Sequence, residues 1–174
     1  MMSLGSGKAT ASSMSWAIAL SEMESGDYAA CVVLLIRGEL FFVLEVVRGR
    51  FPFETLKAKI IELKQQRYQV STLLIEESPI SLGLIQSLRE RSINVTTYKP
   101  DTDKRARLIA QTDLFAGGSV QLPQRAAWLE EFVAELLAFP GRHDDQVDAL
   151  TQGLAWGRRS WSRRTRTYAV PGLY

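Results

Sequence analysis

Two groups of carboxylates in this chain stand where solvation alone does not account for them. Glu76-Glu77 closes the mostly apolar run Val70–Ile75 and is followed by Ser78-Pro79. At least one of these acids therefore emerges at the carboxyl tip of a buried strand, the edge of a sheet where α/β sites sit. The second group is His143-Asp144-Asp145-Gln146-Val147-Asp148. On a helix Asp144 and Asp148 share a face at i,i+4, and Asp145 and Asp148 are i,i+3 neighbours, so like charges are held together at a cost. A divalent cation removes that cost. Hard ions such as Mg²⁺ or Mn²⁺ take a few carboxylate oxygens plus water, and two of them about 4 Å apart clamp the attacking and leaving oxygens of a phosphodiester. The same acids also suit the N-terminus of a helix, where Asp144 and Asp145 complement the dipole. Spacing alone leaves both readings open.

The elements that must position these acids follow from apolar patterning. Met14–Leu20 reads as a first strand, and Gly26-Asp27 breaks the polar turn after it. Tyr28–Ile36 and Glu39–Val47 are rich in Val, Leu, Ile and Phe, and Arg37-Gly38 between them is the tight connection of a hairpin. Pro52 suits a first helical turn, and Phe53, Leu56, Ile60 and Leu63 recur at spacings of three and four, predicting an amphipathic helix to about Arg67. A strand over Val70–Ile75, a helix over Ile80–Arg91 and a fifth strand over Asn94–Lys99 come next. Asp101 or Thr102 caps a helix expected to run to Phe115, where Gly117-Gly118 stops it. Trp128, Leu129, Phe132, Val133, Leu136 and Leu137 form the stripe of another helix, and Asp144–Trp156 contains the last, with Val147, Leu150 and Leu154 inward. Three antiparallel strands followed by parallel β–α units make a mixed α/β sheet flanked by helices, the plan of the RNase H-like fold.

Composition narrows the class. A length of 174 residues with 46% hydrophobic content fits one globular domain. Arg37, Gly38 and Glu45 break the longest apolar runs well short of the roughly 20 residues that span a bilayer. Met1–Met14 is small and polar, without the apolar core of a signal peptide, so a non-secreted protein with no membrane partner is expected. Cys31, the sole cysteine, lies in a Val/Leu-rich run and reads as a reduced core thiol. Charge divides unevenly: after Asp148 no acid occurs, while Arg158, Arg159, Arg163, Arg164 and Arg166 do. Such a segment suits a phosphate backbone, with Trp156, Trp161 and Tyr168 able to stack on bases, and it equally suits a solvated terminus. The expected division is a flexible segment over 1–13, the folded domain over 14–157 and a basic tail over 158–174.

From Ser15 to Trp156 the chain resembles the C-terminal nuclease domain of phage and prophage terminase large subunits. The matching segments are Ser15-Trp16, Asp27-Tyr28, Leu74-Ile75-Glu76-Glu77, Lys99-Pro100 with Asp103-Lys104, and Phe139-Pro140 followed by His143–Leu150. Each is weak alone; their joint occurrence in order is specific. The resemblance implies an endonuclease that cuts concatemeric viral DNA during packaging, using two metal ions, Mg²⁺ or Mn²⁺. It implies Glu76, Asp144 and Asp145 as catalytic metal ligands, with Asp148 joining them. Glu77, His143 and Asp27 are implied as supporting residues. Lys99, Lys104, Arg105 and Arg107, and in the basic tail Arg158, Arg159, Arg163 and Arg164, are implied as DNA contacts. Double-stranded DNA, a terminase ATPase domain, the small terminase subunit and the portal are the implied partners, and the cytoplasm of a bacterial host the implied location.

One position departs from the pattern. The family carries Ser-Trp-Asp on the first strand, with an acid shared by both metals, and this chain reads Ser15-Trp16-Ala17. A methyl cannot ligate a cation, so the resemblance points to a disabled or weakened nuclease; Glu22, Glu24 and Asp27 are the nearest substitute acids. Gly5-Ser6-Gly7-Lys8-Ala9 lacks both the first glycine and the Ser or Thr of a phosphate-binding loop, so no ATPase motor is expected within this chain, which reads as a fragment, a separately encoded domain or a truncated product. Two other classes remain: a catalytically dead DNA-binding or motor-docking module, and another RNase H-like nuclease of the resolvase or transposase type.

Overall fold

The computed structural model describes residues 13–20, 28–79, 81–99, 103–141 and 144–167. Residues 1–12, Asp27, Asp101, Thr102 and His143 lie outside them, as do Glu22 and Glu24. Six strands form one mixed sheet in the order β5-β4-β1-β2-β3-β6. These are β1 (Ser13–Leu20), β2 (Tyr28–Arg37), β3 (Leu40–Arg50), β4 (Thr72–Glu76), β5 (Val95–Tyr98) and β6 (Val120–Gln121). β1, β2 and β3 are antiparallel neighbours, β4 and β5 extend the sheet parallel to β1, and β6 pairs parallel to β3. The antiparallel opening and parallel continuation match the expected RNase H-like plan. The two-residue β6 carries too little pattern to be read from sequence.

β2 explains why its segment is apolar throughout. Ala29, Cys31 and Val33 lie in one core and Ala30, Val32, Leu34 and Ile36 in the other, so both faces of the strand are covered. Cys31 is buried as expected, and burial raises its thiol pKa well above the ordinary value. Arg37 pairs with Leu40, which leaves Gly38-Glu39 as the hairpin loop, one residue later than expected; Gly38 supplies the positive φ of 61° that the turn needs. Within the hairpin Val33 pairs with Glu45 but Leu34 with Val43, so Leu44 is an extra, bulged residue. The bulge inverts the alternation of β3. Phe41 and Val43 before it and Val46 after it share one core, and Arg48, opposite Ala30, follows Val46 onto that face.

Helices cover both faces. α1 (Phe53–Ile61) continues as a π-helical segment over Glu62–Arg67 and buries Leu56, Ile60 and Leu63; α2 (Ser81–Glu90) buries Leu84, Ile85 and Leu88 against the same face. On the other face α5 (Leu129–Ala138) and α6 (Asp145–Thr167) place Phe132, Leu150 and Leu154 over Val32, Leu34 and Leu74. Between them run α3 (Lys104–Ile109) and α4 (Thr112–Ala116).

Three expectations need correction. The single helix expected up to Phe115 is capped by Asp103, which accepts from the Ala106 amide, and breaks after Ile109. There the Thr112 hydroxyl donates to the Ile109 carbonyl and Arg158 to the Ala110 carbonyl, so side chains satisfy groups that a continuous helix would pair. Phe53 is 46% exposed, with the Lys57 ammonium 5.3 Å from its ring centroid. Of the α5 stripe only Phe132 is fully buried and Leu137 is 81% exposed, because just one line of this helix meets the core. α6 continues unbroken through the arginine-rich segment to Thr167. Among the described residues no helix is long and apolar enough to cross a membrane.

Candidate functional site

Glu76 is the last residue of β4, in register with Tyr98 of β5, at the carboxyl edge of the parallel half of the sheet. One strand over, Ala17 of β1 is in register with Leu74 of β4 and Val32 of β2, both of which belong to the core beneath α6. α6 packs against β1 and β2. Its spacing brings Asp145, Asp148 and Gln152 onto the sheet-facing side, where all three are buried. The Gln152 amide donates to Glu76 Oε2 and ties the strand tip to the helix. Through Gln152 the strand tip is joined to the helix that carries the second acidic group, and the charge of Asp148 is felt at Glu76.

The acids of this helix are not bare carboxylates. α3 brings two cations to them. Arg107 donates to Asp148 Oδ1 in a pair whose side chains are only 7% and 4% exposed. Lys104 Nζ is 2.8 Å from Asp144 Oδ1 and 3.8 Å from Asp148 Oδ2. Burial raises the pKa of Glu76, Asp148 adds to the rise, and Arg107, the Gln152 hydrogen bond and Lys104 oppose it. Burial also raises that of Asp145, where Asp144 and Glu135 add to the rise against Lys104 and Arg48. For Lys104, burial favours the neutral form but is outweighed by Asp144 and Asp148, so its pKa is raised. Among the described residues no three Asp, Glu, His or Cys side chains gather in a group able to hold a metal ion.

The helix-capping alternative for Asp144 and Asp145 can now be weighed. The first-turn amides of Gln146 and Val147 donate to Glu135 of α5, at 2.8 and 3.1 Å, and not to Asp144. Asp144 precedes α6 and turns its carboxylate to Lys104 instead. Asp145 does lie in the first turn of α6, where its charge complements the helix dipole.

The expected DNA contacts divide. Lys99, Lys104 and Arg105 are exposed near the acids, whereas Arg107 is buried on Asp148 and unavailable to a phosphate. Arg158 binds Asp113 Oδ1 at 2.9 Å as well as the Ala110 carbonyl, and Arg159 stacks over Tyr98, 5.5 Å from the ring centroid. Arg163 and Arg164 lie on the last turns of α6. Glu77 is exposed, with its amide bonded to the Tyr98 carbonyl. Sequence reasoning missed Gln152, Glu135 and Arg48. Gln152 carried a usable signal, being one turn beyond Asp148; the other two lie on separate elements.

Residues 14–155 match the family described as the terminase RNaseH-like domain. The fold is similar to that of the large terminase nuclease from thermophilic phage G20c with bound magnesium, at 16% identity and a TM-score of 0.62, covering 82% of this chain and 81% of that one. It is similar too to the manganese-soaked human cytomegalovirus terminase nuclease domain, at 13% identity and a TM-score of 0.62, covering 92% of this chain and 91% of that one. The large terminase of another thermophilic bacteriophage matches at 9% identity and a TM-score of 0.59, covering 81% of this chain but only 39% of that one. The chain therefore spans about two fifths of that terminase. No protein of curated function matches in sequence.

Proposed function

This chain belongs to the terminase RNaseH-like domain family, and from that membership we propose that it is the DNA endonuclease domain of a viral packaging terminase, depleted of one metal ligand. The observation that supports the reading is the link between the strand tip and the last helix, where Gln152 joins Glu76 to the helix that also carries Asp145 and Asp148. Carboxylate oxygens are the donors a hard cation takes, while among the described residues no three of them form a ready site and Lys104 and Arg107 pair with Asp144 and Asp148. Glu76, Asp144 and Asp145 are the residues that hold Mg²⁺ or Mn²⁺ in this reading, and Asp148 is committed to Arg107. Divalent cations bound there supply charge neutralisation at a scissile phosphate and acidify a water nucleophile.

This chain's own residues do the rest. Gln152 holds Glu76 at the strand tip. Lys104 balances Asp144 and Asp148 and, with Lys99 and Arg105, offers exposed positive charge to the DNA backbone. Arg158, Arg159, Arg163 and Arg164, all within α6, are the further DNA contacts of this reading. Ala17 leaves the set one carboxylate short at the register of the α6-facing core, and cleavage by the chain as it stands is weak or absent. The ATPase domain, small subunit, portal and concatemeric DNA in the bacterial cytoplasm are the partners and setting of this reading.

Cleavage of supercoiled plasmid with Mg²⁺ or Mn²⁺ tests it. Ala17→Asp is expected to restore nicking and linearisation, and Glu76→Ala in that background to abolish both. A second reading, a DNA-binding or motor-docking module without chemistry, draws on the neutralisation of the acids by Lys104 and Arg107. It becomes the better one if the restored chain folds and binds DNA but does not cut.

A further inference from the structure

We propose that Glu135 is a positioning residue: by capping α6 from a neighbouring helix, it keeps the Asp144 carboxylate off its own helix and turned toward Lys104 and the proposed cation site. The proposal rests on the reading of Asp144 and Asp145 as cation ligands and deepens it. The first turn of any α-helix exposes amides that need acceptors, and the acid just before the helix is normally the one to supply them. Asp144 stands at that place. Left to itself, its carboxylate would fold back onto the Gln146 and Val147 amides and be lost to the site.

Glu135 removes that option. Its Oε1 accepts from the Gln146 amide at 2.8 Å and the Val147 amide at 3.1 Å, and its Oε2 accepts from Gln146 Nε2 at 2.6 Å. The side chain is only 7% exposed. Arg48 stands behind it, with Nε 4.0 Å from Oε2, and its guanidinium pairs with Glu131 of the same helix. Arg48 reaches this face because the Leu44 bulge inverts the alternation of β3; an unbulged strand would point it toward α1. The bulge on β3, the carboxylate on α5 and the start of α6 thus act as one device. Its output is an Asp144 carboxylate aimed at Lys104 Nζ, 2.8 Å away, and not at its own helix.

The test uses the full chain carrying Ala17→Asp, with Mn²⁺ affinity read by electron paramagnetic resonance. Glu135→Ala is expected to weaken binding about tenfold, the scale on which residues supporting a metal ligand act. Glu135→Gln, which still offers one oxygen to the two amides, is expected to recover most of that loss. Unchanged affinity in Glu135→Ala overturns the proposal. A second readout needs no metal: the cost of Asp144→Ala to the unfolding equilibrium. It is expected to be small with Glu135 present and about fivefold larger in Glu135→Ala, where Asp144 has become the cap. An equal cost in both backgrounds overturns the proposal. If the Ala17→Asp chain binds no Mn²⁺ at all, the cation reading fails, and the stability cycle alone decides whether Glu135 spares Asp144 from capping. Should Glu135→Ala not fold, Glu135→Asp, one methylene short of the amides, is read in its place with the same expected direction.

Discussion

Replacing Arg107 with Met puts the charge balance of the site to a direct test. Arg107 and Asp148 are 7% and 4% exposed, so neither charge is hydrated and each depends on the other. Removing one member of a buried pair costs about 3–5 kcal/mol, because the remaining charge is stranded. Lys104 stays 3.8 Å from Asp148 Oδ2, but it is 44% exposed and screened, so it offsets only part of the loss. Glu76, which Arg107 also steadies, loses support at the same time. The expected cost of Arg107→Met is therefore near the lower end, about 3 kcal/mol, a shift of roughly a hundredfold in the unfolding equilibrium. Urea unfolding at pH 7 without divalent ions, followed by tryptophan fluorescence and circular dichroism, measures it. Adding Asp148→Asn removes the stranded charge, so the double variant is expected to be more stable than the sum of the singles predicts, by about 2 kcal/mol. A single-variant cost below about 1 kcal/mol, or simple additivity, refutes the claim that the pair is buried and interdependent.

Two glycines on helices should respond oppositely to a methyl group. A Cβ at Gly157 meets Phe41 Cε1 at 2.6 Å and Ile36 Cδ1 at 2.7 Å, so Gly157→Ala is expected to cost about 1–3 kcal/mol by overpacking α6 against β2 and β3. A Cβ at Gly83 meets nothing within 4 Å, so Gly83→Ala is expected to stabilise α2 by about 0.5–1 kcal/mol; thermal unfolding of the two variants reads both signs. Burial and a hydrogen bond to Glu45 push the Tyr68 hydroxyl up to about 12 from an ordinary 10.0. The folded chain therefore holds this proton where the unfolded chain has released it, and the stability so contributed is present below pH 10 and lost as the pH rises through about 12. The stability difference between the parent and Tyr68→Phe should shrink across that window; urea midpoints that differ equally throughout would show the Glu45 contact to be unimportant for titration.

Much of the architecture was legible in the residues. The apolar run of β2 announced a strand, and the three-and-four spacing of Leu56, Ile60 and Leu63 announced a helix, because patterns of this kind repeat within one turn or one pleat. Glu76 was marked by the apolar strand it terminates, and Ala17 by a chemical fact independent of folding, that a methyl carries no lone pair. What the acids touch was decided by tertiary structure. Asp148 is met by Arg107 from 41 residues away, Glu76 by Gln152 from 76 and the Gln146 amide by Glu135 from 11. No local period links such positions. The bulge at Leu44 that turns Arg48 toward α5 is set by strand register, and the course of α6 through the arginine-rich segment by packing over the sheet. The sequence alone therefore marked the carboxylates placed where solvation does not account for them, while only the fold decided which of them pair with cations and that Asp144 does not cap its own helix.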